Sequence, residues 1–187
     1  VEGDDYRNVM ILKFSRGSLR DLVKRPDLWA QADDFNDPDK KDALSLWLQE
    51  YIDDAVEKAG DVSSKEGALF AKLKDIAGRE DWNGILLLKA KIEDLPPNLS
   101  GIMAGVDEER FFAHYLGIEA NHIDSSAIDI KGQSSVFGAV YYSDSSYISA
   151  MDGDFYFRVK DLGALFENSA LKSFESRVEL VMKQLMD

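Results

Sequence analysis

The sequence predicts an α+β fold, with a mainly helical N-terminal part (a helical pair) packed on a mainly antiparallel β sheet or sandwich in the C-terminal part. Three observations lead there. Apolar residues recur at helical spacing between Pro38 and Gly78, the period shortens to two from Trp82 onward, and short branched or aromatic runs separated by Ser, Gly and Asp fill the rest. The change of period divides the 187 residues into a helical subregion over 1–80 and a β subregion over 81–187 of one expected domain.

Asn8–Phe14 is a compact, branched apolar run between polar flanks, which predicts a first strand. Ser18 and Asp21 have capping-box spacing, so a short helix follows and stops before Pro26. Asp27–Ala32 reads as a further helical turn placing Leu28 and Trp29 on the core. Asp37–Pro38 is an N-cap followed by proline at the first helical position, where the missing N–H costs nothing. The helix it opens carries Leu44, Trp47, Leu48, Tyr51, Ile52, Ala55 and Ala59 on one stripe, with Gly60 as its stop. Ser63 and Glu66 form a second capping box before a stripe of Leu69, Phe70, Leu73 and Ile76 ending at Gly78, which makes an antiparallel pair with the first helix.

Beyond Trp82, Leu86, Leu88, Ala90 and Ile92 alternate with charged residues as one buried face of a strand, which Pro96–Pro97 ends. Asn98–Val106 fits a buried edge strand or a packed loop. Phe111–Ile123 fits a helix capped by Asp107 or a strand with Phe112, His114, Leu116, Ile118, Ala120 and His122 on one parity, and the strand is favoured. Ala127–Lys131, Val136–Tyr142 and Phe155–Lys160 are short β runs in one region. Phe174–Leu185 also fits both templates, and Glu175 against Glu179 at i,i+4 tilts it to strand.

Thirty-five acidic against 22 basic residues give a formal net charge of -13. Such a field repels phosphate backbones and anionic surfaces, so no nucleic acid partner is expected; the charge reads first as a source of solubility, with a basic protein surface or cationic ligand as the alternative. The absence of cysteine excludes disulfides, thiolate catalysis and thiolate metal sites. No apolar run approaches the ~18 residues of a membrane span, so no membrane insertion is expected, and no signal peptide is recognisable. The chain begins at Val1 rather than Met, which leads us to expect a part of a larger polypeptide.

For chemistry, the two histidines come first. On one strand His114 and His122 would stand about 26 Å apart, and on one helix about 12 Å, so neither geometry lets both hold one metal. His122 with Asp124 is the better pair, because alternate strand residues share a face, with Glu119 or Asp129 approaching from elsewhere and Ser125 nearby. That set is the basis of a hydrolase reading, metal-assisted or not. Asp33–Asp39 lacks the EF-hand register, so no metal site is expected there, and Asp152–Gly153–Asp154 reads as a turn. Ser100, Ser125–Ser126 and Ser134–Ser135 lack the flanking glycines of a nucleophile elbow, and Gly101–Gly105 and Gly132–Gly138 match neither a phosphate loop nor a dinucleotide fingerprint, so no cofactor is expected.

Ordinary cross-strand pairing is the favoured use of the aromatic rings, and an exposed strip of Tyr141 or Tyr142, Tyr147 and Tyr156 that binds carbohydrate, peptide or a partner protein is the alternative. The favoured reading is a non-catalytic structural or binding module whose partner is a protein or the remainder of a larger chain. The hydrolase using His122, Asp124 and Glu119, and the β module using Tyr142, Tyr147 and Tyr156, are the alternatives.

Overall fold

The structure is a computed structural model that describes residues 6–30, 37–91, 106–107, 110–120, 123–124, 127–128, 135–144 and 155–182. Along the chain come strand β1 (Val9–Lys13), the one-turn helix α1 (Leu19–Leu22), a 3-10 turn at Pro26–Leu28, and helices α2 (Pro38–Lys58) and α3 (Lys65–Gly78). Strands β2 (Gly84–Lys91), β3 (Phe112–Glu119), β4 (Ile123–Asp124), β5 (Ala127–Ile128), β6 (Ser135–Ser143), β7 (Phe155–Glu167) and β8 (Ala170–Met182) follow. One antiparallel sheet of six strands has the order β1-β2-β3-β6-β7-β8, and β4 pairs with β5 as a separate ribbon. The fold is therefore α+β with its helices N-terminal.

Local chemistry sets the helix starts. Ser18 Oγ accepts from Asp21 N at 3.2 Å to open α1, and Asp37 accepts from Asp39 N at 3.0 Å with Pro38 behind it to open α2. The cap of α3 is Ser64, not Ser63. Asp61 Oδ1 takes both the N–H and the hydroxyl of Ser63, so the hydroxyl of Ser64 is the one that receives Gly67 N at 2.9 Å. Gly67 is needed at that turn, because a Cβ there would stand 1.9 Å from the carbonyl oxygen of Asp61. The turn after Arg25 is only 3-10, which leaves Leu28 exposed instead of in the core. Trp29 does pack on the core, its Nε1 donating to Leu22 O at 2.9 Å.

All three helices lie on one face of the sheet. Leu19 from α1, Leu48 and Ile52 from α2, and Leu73 and Ile76 from α3 share a cluster with Leu86, Leu88, Tyr115, Phe137 and Ala139 from the strands. Trp47 and Tyr51 sit at its margin, half-buried and stacked on each other at 5.1 Å. Neighbours in sequence face the other way, since side chains alternate along a strand. Val140, Tyr142, Val159, Leu162 and Ala164 form a second cluster there with Val106 and Phe111.

Two irregularities decide which residues of β2 and β3 reach which face. Lys89 has φ 46, with Asn8 N donating to Lys89 O and Lys91 N donating to Asn8 Oδ1, and this kink separates Leu88 in the first cluster from Ala90 in the second. A bulge between Ala113 and Tyr115 repeats the change on β3. As a result the buried parity of β3 is Ala113, Tyr115, Gly117 and Glu119, while Ile118 is exposed, contrary to the apolar look of the other parity. Gly117 matters because a Cβ would fall 2.3 Å from the Phe137 ring.

The last two strands are longer than the sequence suggests and form a hairpin closed by Asn168 (φ 49) and Ser169 (φ 60). Positive φ at both central residues is the type I′ geometry whose twist matches a hairpin. Val136 N donates to Ser169 Oγ, and Ser169 N to Val136 O, tying the turn to β6. Pro96–Pro97 and most of Asn98–Val106 lie outside the described residues. Among the described residues, no helix is long and apolar enough to cross a membrane.

Candidate functional site

Glu119 ends β3 on the helix-bearing face, 7% exposed, and both of its oxygens are engaged by α3 and the residue that follows it. Lys72 Nζ donates to Oε2 at 3.2 Å and Arg79 Nη1 to Oε1 at 2.9 Å. The carboxylate thus joins the end of β3 to the last turns of α3. Asp124 pairs with Ala127 in the β4–β5 ribbon, while its side chain, His122 and Ser125 lie outside the described residues. Tyr142 is 2% exposed, its ring 6.1 Å from Phe111 and its hydroxyl accepting from Asp107 N at 3.1 Å, so it takes no part in an exposed strip. Tyr156 pairs with Val181 through its backbone; its side chain and all of Tyr147 lie outside the described residues.

His114 occupies a position that the histidine spacing did not suggest. The bulge on β3 turns its ring toward α3, 5.1 Å from Phe70 and 5.2 Å from Phe112, with Tyr141 stacked at 6.3 Å. Its Nε2 is buried with no hydrogen-bond partner among the described residues. Burial first, and then the charge of Lys58, lower its pKa from 6.5 to about 4, so the ring is neutral at pH 7.

Beside this aromatic pocket a groove of about 810 Å³ runs between the start of α3 and strands β6 to β8. Ala68, Leu69, Tyr141, Gly163 and Leu165 make an apolar floor, and Lys65, Asp161, Glu175 and Arg177 make a charged rim. The rim is internally neutralised. Lys65 pairs with Glu175, and Arg177 with Asp161, to which Ser143 Oγ also donates at 3.0 Å. The hydrogen bond from Arg177 holds the Asp161 carboxyl below its ordinary range. At Gly163 a Cβ would meet nothing nearer than Tyr141 at 3.9 Å, so the floor is open there. The groove can accept an apolar side chain between paired charges. Among the described residues no group of three His, Asp or Glu side chains is placed to hold a metal.

The opposite face, which bears none of the described helices, has a different character. Leu12 is in register with Ile85, Ile85 with Ile118, and Ile118 with Val136, forming an apolar row across β1, β2, β3 and β6. Met10, Leu12, Ile118 and Val136 on that face are 61%, 59%, 39% and 43% exposed. Leu171, Phe174 and Val178 of β8, in register with Phe166, Ala164 and Val159 beside the buried second cluster, are exposed on the same face at 54%, 47% and 55%. No residue pattern marks this face separately, because Met10, Leu12 and Ile118 look like core residues until the helices are seen to cover only the other face. Comparison of the chain with protein-family models, curated proteins and solved structures finds no match.

Proposed function

We propose that this chain is a non-catalytic binding module whose sheet face opposite the described helices docks on a protein partner or on the remainder of a larger polypeptide. One observation carries the reading: Met10, Leu12, Ile118, Val136, Leu171, Phe174 and Val178 stand exposed on a single face. Contiguous exposed apolar area rimmed by polar residues is the usual mark of an interaction surface. The net charge of -13 favours a partner whose apolar patch is ringed by basic residues. Glu119, held by Lys72 and Arg79, serves the fold in this reading, and the buried Tyr142 does the same.

Hydrogen exchange on the chain alone and within the assembly from which it is purified tests the proposal. Added protection is expected in β1, the end of β3 and the start of β6, and Val136→Asp should abolish it while leaving the thermal midpoint unchanged. The hydrolase reading takes over if an esterase, peptidase, glycosidase and phosphatase screen finds turnover that Asp124→Ala removes with the fold intact.

A further inference from the structure

We infer that β8 is a homotypic pairing edge, along which a second copy of this chain adds antiparallel with Ser176 opposite the partner's Ser176. β8 is the terminal strand of the sheet and pairs only with β7 among the described strands. Every residue from Asn168 to Val178 is exposed. Over its 13 residues it offers an edge about 40 Å long, where natural sheets usually shorten or cover such a strand.

The occupant follows from the charge pattern. Ser176 is the midpoint of Ser173–Glu179, the regular stretch that follows the bulge at Lys172, so a two-fold axis through it pairs that stretch with itself. That register sets Glu175 opposite the partner's Arg177, and Phe174 opposite the partner's Val178, each twice. Moving the centre by one residue toward either end fails: centring on Glu175 sets that carboxylate against its own copy, and centring on Arg177 does the same for the guanidinium and puts Glu175 against the partner's Glu179. Like charges directly opposite are destabilising, so the pattern favours the central register. Among the described residues Arg177 meets Asp161 through Nε and Nη2, and Glu175 meets Lys65 through Oε2, so Nη1 and Oε1 are the atoms turned to the partner. The axis is perpendicular to the sheet, so both helical layers fall on one side. Phe174 and Val178 of both copies then join the apolar face on the other side.

This inference extends the module reading by naming one partner, and a strictly monomeric chain would overturn it without touching a heterologous partner on the sheet face. Light scattering over a dilution series should give twice the 21.0 kDa chain mass at high concentration. The chain has no cysteine, so Ser176→Cys introduces the sole thiol. Facing strands bring the two Cα atoms within disulfide reach, and mild oxidation should yield a covalent dimer that Glu57→Cys, on the exposed side of α2, does not. Arg177→Glu should weaken association at least about tenfold, from two opposed like-charge pairs, and adding Glu175→Arg should restore it. Circular dichroism checks that both variants fold, and if Arg177→Glu does not, the crosslink through Ser176→Cys decides alone. A monomer at all concentrations overturns the inference. So does a dimer that Ser176→Cys cannot crosslink, since that dimer uses another surface.

Discussion

Glu119 shows how a plausible catalytic carboxylate can be used up by the fold. Its two oxygens take Lys72 and Arg79, and removing the negative charge leaves two cations beside a buried site. Glu119→Gln should lower stability by about 1.5–3 kcal/mol, read from the urea midpoint. His114 gives a pH signature. Its pKa is about 4 in the fold against 6.5 in the open chain, so between these values the unfolded state binds more protons and stability falls as pH falls. The loss from pH 7 to pH 5 should be about 2 kcal/mol, and His114→Phe should abolish that slope without creating a charge. Comparing denaturation midpoints at the two pH values checks it; an equal slope in the variant would place the titration elsewhere. Neither role was legible in the sequence, because Glu119 and its cations are separated by at least 40 residues. The ring of His114 reaches Phe70 only through a bulge that no residue pattern announces.

Elements were read more fully than residues. The stripes of α2 and α3 were visible because helical period and caps act within a few residues, and the alternation of β2 was visible because one of its faces meets the helices throughout Gly84–Leu88. Sequence alone leaves the cap of α3 ambiguous by one residue, since Ser63 and Ser64 are equivalent there and only Asp61 chooses between them. Ser64→Ala should therefore cost about 1 kcal/mol, while Ser63→Ala should leave α3 intact, as measured by thermal unfolding of the two variants. The β7–β8 hairpin was seen only at its outer ends. Its turn, Asn168–Ser169, lacks the glycine that usually marks a type I′ turn, and the hydrogen bonds from Ser169 to β6 compensate for placing serine at positive φ. The burial of Tyr142 was likewise hidden, because it alternates regularly with Tyr141 along β6 and is covered by Asp107 and Phe111, more than 30 residues away in sequence.

At the scale of the whole molecule, the α+β class and the division near Trp82 were legible, and the one-sided placement of the helices was not. Class follows from the period of the apolar residues, whereas sidedness depends on which of two apolar faces receives the helices. The strand order also carries a consequence for assembly in time. β3, β6, β7 and β8 pair with their neighbours in the order they leave the ribosome, but Val9 of β1 must find Leu88 of β2 across the whole helical region. Closing that loop costs entropy before any contact repays it, so β1 docks late, after the C-terminal meander and the helices are in place. Ile11→Ala, at a half-buried position packed on the helix-bearing cluster, should then speed unfolding and leave the refolding rate nearly unchanged, whereas Val140→Ala should slow refolding. Stopped-flow chevrons of the two variants separate these outcomes. While it emerges, the chain holds an incomplete sheet whose β2 edge is open, and the first strand made is the last to close it.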